Sequence, residues 1–342
     1  MVRTLMSGTL PYSQLRKAPR IFLQDAVPLP GPLSLYIEPT NICNFKCVYC
    51  PESFDNFEER SGGLHRMDLA TFEKIADQVL ELGPVKALNL YMMGEPFVNK
   101  NVPDFIRVAK NKGIAEHITI TTNGTLLNDD IARKTIEAGL DYLRVSIYGG
   151  NADAHGRKTQ SKIRLDRVVQ NVFRFRKLRD ELNGITAVYV KMIDSGSAEE
   201  NRQFMELFSG VGDEVTLEPV MNWNDPEEGD LSQMSREVRL KSDYFAKKKQ
   251  VCSFPFYTLV IHSDLKVSVC CVDWAKEAVV GDLRTETLTE IWRGEKLREF
   301  QLMHIERRAN EHRACRNCTY LYTAPDNLDG LRAEEFIDRS ES

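Results

Sequence analysis

The chain contains no apolar run approaching the roughly 18 residues that cross a bilayer. Its first twenty residues, MVRTLMSGTLPYSQLRKAPR, are basic in places but lack the apolar h-region of about 7–15 residues that marks a signal peptide. Both absences point to a cytoplasmic protein that does not engage a membrane. Positive charge is not in excess either: 45 Lys and Arg stand against 50 Asp and Glu, a net of -5. No basic patch interleaved with aromatics occurs, which excludes a nucleic-acid binder working through a general basic field. The KKKQ run at 247–250 reads as solvated linker. Internal repeats and low-complexity segments are also missing. In a reducing compartment the eight cysteines are metal ligands or catalysts rather than disulfides.

What is present is ordinary globular composition, 42% apolar and 28% charged over 342 residues, enough for one large domain and a small one. Residues 1–32 are an irregular lead. From 33 to 220 short apolar strands, read at 33–38, 85–91, 117–122, 141–148, 185–192 and 214–219, alternate with helical patterns. In the first helix Asp68 is the N-cap, Leu69, Phe72, Ile75, Ala76 and Val79 recur at helical spacing, and Gly83 and Pro84 end it. Helices are also read at 101–112, 127–138, 165–182 and 198–209. Six β/α alternations predict an α/β fold with a parallel sheet, a partial (β/α)6 TIM-like barrel. Residues 221–250 are polar linker, 251–320 a small cysteine-bearing domain with a hairpin and a helix near 287–300, and 321–342 a polar, loosely docked tail.

Strand phase predicts a polar lumen. Leu143, Val145 and Ile147 form the apolar face of one strand and must meet helices, so Arg144, Ser146 and Tyr148 point inward. The same argument places Thr119, Thr121, Asn123, Tyr189, Lys191, Glu38 and Glu218 around the ring, toward the carboxyl ends of their strands where such folds carry their sites. Of these, Lys191, Arg144, Tyr148 and Glu218 are candidates for substrate contact or proton removal. His155, His262, His304 and His312 stand alone and read as surface or satisfied residues; Trp223, Trp274 and Trp292 read as packing.

Three cysteines, Cys43, Cys47 and Cys50, crowd the loop after the first strand in C-x3-C-x2-C spacing. A structural zinc site wants four protein ligands in paired knuckles. A 4Fe–4S cubane has four iron corners, so three thiolates leave one iron open. Further along, MMGEPF (92–97) closes the second strand, TTNG (121–124) the third and VSIYGG (145–150) the fourth.

With these motifs the stretch 33–220 resembles the radical S-adenosylmethionine (SAM) superfamily. The resemblance implies that Cys43, Cys47 and Cys50 hold a 4Fe–4S cluster whose open iron is chelated by SAM. It implies that reductive cleavage of SAM then yields a 5'-deoxyadenosyl radical that takes hydrogen from a substrate. Tyr49 corresponds to the aromatic residue near the adenine. Glu95 would accept a hydrogen bond from the SAM ammonium, with Gly94 and Pro96 shaping that turn. Asn123 and Ser146 would lie near the SAM carboxylate or ribose. A flavodoxin or ferredoxin-type reductant is the implied partner.

Cys315 and Cys318 form a second C-x2-C, and Cys252 and Cys270 complete a set of four. This layout resembles the auxiliary-cluster domain called SPASM, or its shortened twitch form, and implies one auxiliary 4Fe–4S cluster with four cysteine ligands; a structural zinc on the same residues is the alternative. The family usually has glycine five positions before the second ligand, where this chain has Leu265. Cys271 is left over. Read as strand neighbour of Cys270, it faces the other way, either as a small buried residue, as a hydrogen-atom donor, or as a ligand in place of Cys270.

Twitch-form relatives resemble enzymes acting on a carbinol C–H of a sugar, aminocyclitol or similar small metabolite. Loss of an electron and a proton gives dehydrogenation; return of hydrogen from a thiol gives epimerisation. A fully ligated second cluster favours the first outcome and a spare Cys271 the second. Maturation of a ribosomally made peptide is the alternative, weighed down by the absence of a folded recognition module in residues 1–32. A non-catalytic iron–sulfur protein is a remote third.

Overall fold

The structure, a computed structural model, describes residues 22–218 and 249–341 apart from 317, 319, 324 and 325. Most of the linker read at 221–250 and most of the N-terminal lead therefore lie outside the described residues. β1 (Ser34–Ile37), β2 (Val85–Asn89), β3 (Ala115–Thr122), β4 (Tyr142–Ile147), β5 (Ala187–Ile193) and β6 (Glu214–Glu218) agree with the six expected strands to within two residues at either end. All six pair in parallel, each with its sequence neighbour. Helices Leu69–Leu82, Val102–Lys112, Asp129–Glu137, Leu165–Glu181 and Ala198–Phe208 alternate with them. The Asp68 carboxylate accepts a hydrogen bond from the Thr71 N–H at 2.7 Å, as an N-cap should.

The parallel sheet is covered by helices on one face, and this fixes which side chains remain for a lumen. Leu143, Val145 and Ile147 of β4 are fully buried in one core with Val168, Val172 and Phe175. Phe72 and Phe105 stack at 4.4 Å between two helices of the same layer. Side chains alternate along a strand, so Arg144 and Ser146 face away from that core.

Residues beyond 250 do more than follow the barrel. β7 (Thr258–Ile261) lies parallel to β1, with Ser34 opposite Thr258 and Ile37 opposite Ile261. β8 (Lys266–Ser268) and β9 (Val279–Asp282) continue antiparallel, giving the order β6-β5-β4-β3-β2-β1-β7-β8-β9. The hairpin was legible in the sequence, but its attachment was not. The first strand of a partial barrel bares a row of unpaired backbone groups, and β7 satisfies them.

Four details differ from the sequence reading. The tail is firmly docked: Leu328 and Phe336 are buried with Leu23, Val27, Val251, Phe256 and Ile305. Asp329 Oδ1 also accepts hydrogen bonds from the N–H groups of Gln250 (2.8 Å) and Val251 (2.9 Å). The helix near 287–300 is two helices, Leu288–Arg293 and Glu295–Ile305, broken at Gly294. A polar helix, Ala152–Thr159, follows β4 and buries only Ala154, His155 and Thr159. Cys270 and Cys271 lie in the turn beyond β8, so strand alternation does not set their directions.

Leu265, where the resemblance implies glycine, takes φ 71°, a left-handed conformation costly for a side chain with Cβ. Leu265→Gly relieves that strain while losing packing; Leu265→Ala loses packing and keeps the strain. The glycine variant should be the more stable of the two by roughly 1 kcal/mol in urea unfolding. The opposite order would refute the strain.

Candidate functional site

The cysteine loop leaves β1 through Thr40 and Asn41, whose side chains anchor it. Asn41 Nδ2 donates to Gly63 O (2.7 Å) and its Oδ1 accepts from His65 N–H (2.7 Å); Thr40 Oγ1 donates to His65 O (2.7 Å). On the other side Lys46 N–H and Val48 N–H donate to the carbonyls of Thr159 (3.1 Å) and Lys158 (2.9 Å). The helix absent from the sequence reading thus props the loop.

The donor set suits a bound cationic cluster. Burial pushes the Cys43 thiol up to about 12, with Glu95 adding to it. Cys47 is raised by burial and then by Cys50 and Cys43 beside it, and Cys50 chiefly by burial. Thiols so disfavoured as anions become ligands only when a metal supplies the compensating charge. Among the described residues no three Cys, His, Asp or Glu side chains converge on the position of a single ion.

The turn after β2 is laid directly on this loop. Gly94 has φ 73°, and a Cβ there would come within 2.5 Å of Thr40 O and 2.9 Å of Ile42 N. Glu95 N–H donates to Ile42 O (3.0 Å), and Gly94 N–H donates to Glu52 Oε1 (3.1 Å). Glu52 is paired with Lys46 at 3.1 Å, and burial raises its carboxyl to about 7. Pro96 opens the short 3-10 turn that follows.

Glu95 is more engaged than expected. Its Oε1 accepts from Thr122 Oγ1 (2.6 Å) and Phe97 N–H (3.3 Å), and its Oε2 from Asn123 N–H (2.7 Å). A carboxylate offers about four lone-pair sites, so little capacity remains for an outside ammonium. Burial, working against those hydrogen bonds, raises it to about 7. Asn123 in turn donates through Nδ2 to Asn44 Oδ1 (2.8 Å), inside the cysteine loop. Glu95 and Asn123 therefore join the ends of β2 and β3 to that loop.

Around the rest of the mouth, Tyr49 stacks on Tyr148 at 6.4 Å and 21°. Ser146 is buried and stands in register with Lys191. Arg144, Lys191, Tyr189 and Glu218 come together as strand phase required. Arg144 is ion-paired with Glu218, Lys191 Nζ lies 3.5 Å from Glu218 Oε2, and Tyr189 OH donates to Glu218 Oε1 at 3.0 Å. Burial first, then repulsion from Arg144, lowers Lys191 to about 8 against the pull of Glu218. Burial would raise Glu218, but Lys191 and Arg144 outweigh it and bring it to about 2.

The second cysteine set surrounds the end of the β7–β8 hairpin. Burial pushes Cys252 up to about 12, with Cys318 next to it in effect; Cys270 is raised by burial and then by Cys271, Cys318 and Cys252, and Cys315 by burial and then by Cys252 and Cys318. Cys318 N–H donates to Cys315 O at 3.0 Å. His304, read as an isolated residue, is buried with Nε2 3.5 Å from Cys315 Sγ, and burial lowers it to about 4. Cys271 is buried beside Phe254, Val260 and Val272, and its thiol donates to Tyr320 OH at 3.3 Å.

Two contacts that sequence reasoning missed join the halves. The Glu38 carboxylate, fully buried, accepts from Met93 N–H (3.3 Å), Ser263 N–H (3.2 Å) and Ser263 Oγ (2.6 Å), and lies 3.8 Å from His262 Nδ1. Trp274 packs on Phe54 (5.6 Å) and Phe57 (5.7 Å) after the cysteine loop, with the Arg60 guanidinium 4.6 Å above its ring. Only the tertiary pairing of β1 with β7 brings these residues together.

Comparison with known proteins agrees with this layout. The family model for the radical SAM superfamily matches residues 37–200, and that for the iron–sulfur cluster-binding domain SPASM matches 252–319. The chain is similar to a tungsten-containing aldehyde ferredoxin oxidoreductase cofactor-modifying protein of Pyrococcus furiosus, 34% identical over 113 residues. That match spans 33% of this chain and 30% of the relative. Among solved structures it resembles BtrN in complex with AdoMet and 2-DOIA at a TM-score of 0.54 and 18% identity, covering 87% of this chain and 96% of that one. It also resembles Streptococcus suis SuiB bound to S-adenosylmethionine at 0.62 and 13%, covering 89% and 75%. These structural likenesses establish the fold. No helix among the described residues is long and apolar enough to cross a membrane.

Glu38→Ala strips the acceptor from three donors and leaves His262 facing an apolar methyl; it should cost about 3 kcal/mol in urea unfolding. Burial raises the Glu38 carboxyl, but His262 and Ser263 more than offset it, so it sits below its ordinary value. Its contribution is then complete above the unfolded carboxylate range and lost as pH falls through the lower folded value. Stability measured against pH should accordingly lose part of its acid dependence in Glu38→Gln.

Proposed function

We propose that this chain, which belongs to the radical SAM superfamily and carries a SPASM iron–sulfur domain, abstracts hydrogen from a carbinol C–H of a small hydroxylated metabolite. When bound, the first cluster with SAM supplies a carbon-centred radical that takes a hydrogen atom, and the auxiliary cluster supplies a one-electron acceptor. Cys43, Cys47 and Cys50 are assigned to the first cluster, and Cys252, Cys270, Cys315 and Cys318 to the second. The Gly94 turn, Asn123 and Ser146 hold the SAM amino acid portion, and Tyr49, backed by Tyr148, offers a face to the adenine. The engaged state of Glu95 favours a positioning role, with the turn's backbone meeting the ammonium.

The observation that carries a small polar substrate is the buried group of Arg144, Lys191, Tyr189 and Glu218, which demands polar partners from whatever enters. Once a carbinol radical loses its electron, its hydroxyl becomes that of a protonated carbonyl, a far stronger acid than any carboxylic acid. Glu218, even with a pKa of about 2, is base enough to take that proton. The product is then a carbonyl. In the other outcome Cys271 returns a hydrogen atom from its thiol and the product is the epimer; the sulfur radical left behind takes one electron from the same flavodoxin or ferredoxin-type reductant and a proton from solvent, and Tyr320 orients that thiol.

Anaerobic reconstitution should give about eight irons per chain, and dithionite with SAM should release 5'-deoxyadenosine, lost in a Cys43→Ala, Cys47→Ala, Cys50→Ala triple variant. Bound SAM that survives strong reduction intact would sink the radical reading. With labelled carbinols in heavy water, deuterium gained by the product and abolished by Cys271→Ala marks epimerisation. Stoichiometric SAM consumption with a carbonyl product marks dehydrogenation.

A further inference from the structure

His304 lies in the last turn of the helix Glu295–Ile305 and is only 2% exposed. Its ring packs on Phe300, one turn earlier, at 5.2 Å, and Phe300 meets His312 edge-on at 5.0 Å. Backbone bonds fix how the second C-x2-C turn approaches that helix. Arg308 N–H donates to Met303 O (2.9 Å), and Cys315 N–H donates to His312 O (3.0 Å). Held in this way, His304 Nε2 lies 3.5 Å from Cys315 Sγ. Other sulfurs of the set meet backbone donors: Phe254 N–H acts on Cys252, Val272 N–H on Cys270, and Tyr320 N–H donates to Cys318 Sγ at 3.4 Å. Asp273 works against a thiolate at Cys315, and its carboxylate accepts the N–H groups of Glu277 (2.9 Å) and Ala278 (2.8 Å).

A neutral imidazole has one donor nitrogen and one acceptor, while a metal-bound thiolate sulfur only accepts. His304 Nδ1 is buried and has no partner among the described residues. With the hydrogen on Nδ1, a buried donor would go unmet and the Nε2 lone pair would face the sulfur. With the hydrogen on Nε2, the N–H meets the sulfur and only an acceptor is left bare, the cheaper of the two arrangements.

We propose that His304 donates its Nε2–H to Cys315 Sγ when the auxiliary cluster is bound, and so makes that cluster a better electron acceptor. Hydrogen bonds to the sulfurs are among the levers that set an iron–sulfur potential. The donor draws density from the sulfur and stabilises the extra electron of the reduced cluster. His304 is thus a positioning residue that acts through Cys315. This deepens the cluster assignment given under Proposed function and rests on it. A higher potential favours passing the carbinol radical's electron to the cluster, the step that leads to a carbonyl. Direct ligation of iron by the same nitrogen is the competing arrangement.

The test uses the reconstituted full chain carrying Cys43→Ala, Cys47→Ala and Cys50→Ala, so that only the auxiliary cluster is titrated. That protein should hold about four irons per chain. His304→Phe keeps a ring against Phe300 and removes the donor. The midpoint potential, followed by electron paramagnetic resonance, should fall by about 59 mV, a tenfold shift in the reduction equilibrium. His304→Gln restores an N–H donor and should recover about half of that fall or more. With isotope-labelled histidine, pulsed resonance of the reduced cluster should show a weak nitrogen coupling. That coupling is read on the unsubstituted His304, so it tests the contact even where His304→Phe takes up no cluster. Absence of the coupling overturns the proposal, and so does the strong coupling of a ligated nitrogen. An unmoved potential in His304→Phe overturns it as well, as does an equal fall in both variants, which marks lost packing rather than a lost donor. Iron content separates the failures: four irons with an unmoved potential defeat this inference alone, and a chain that takes up zinc or no iron defeats the cluster assignment beneath it.

Discussion

A carboxylate buried without partners would be expelled or neutralised, and Glu38 sits where that cost is met from two sides. It stands at the carboxyl end of β1, immediately before the cysteine loop, and takes hydrogen bonds from the turn after β2 and from the hairpin after β7. β1 is also the strand against which β2 and β7 both pair. The loop of Cys43, Cys47 and Cys50, the Gly94 turn and the second cysteine set therefore share one rigid junction. Trp274, clamped between Phe54, Phe57 and Arg60, ties the same junction farther out.

This junction makes the two cysteine sets parts of one structure rather than neighbours on a flexible chain. A continuous sheet transmits the position of one set to the other through the backbone pairing of β1 with β7. The lumen lies on the opposite side of β1, and its polar group at β4–β6 is held by strands whose other face is close-packed on helices. Fixed supports on both sides suit chemistry in which a reactive carbon radical must meet one C–H bond and no other.

Much of this was readable from residue order. The six strands and their helices followed from apolar periodicity, because each element buries one stripe and the period of that stripe differs between strand and helix. Strand phase placed Arg144, Lys191, Tyr189 and Glu218 in one lumen before any coordinates, since alternation leaves a side chain only two directions. The three-cysteine spacing, the GEP turn and the C-x2-C pair were local patterns and needed no fold to be seen. The tail was misjudged because Leu328 and Phe336 are isolated apolar residues in a polar stretch; their burial depends on Leu23, Val27 and Val251, far away in the chain. The helix at Ala152–Thr159 was missed because its composition is polar and its role is to offer carbonyls to the cysteine loop.

What the sequence by itself determined is what repeats or clusters along the chain: the β/α alternation, the inward face of each strand and the two groups of cysteines. Tertiary structure alone decided that β7 would pair with β1, that Glu38 would bridge Met93 to Ser263, that Glu95 would spend its lone pairs on Thr122, Phe97 and Asn123, and that Cys271 would face Tyr320 from a turn. The reason is physical. Periodicity and spacing encode contacts within a few residues, whereas the pairing of a bare strand edge or a buried carboxylate depends on which distant donors the completed fold brings within hydrogen-bond reach.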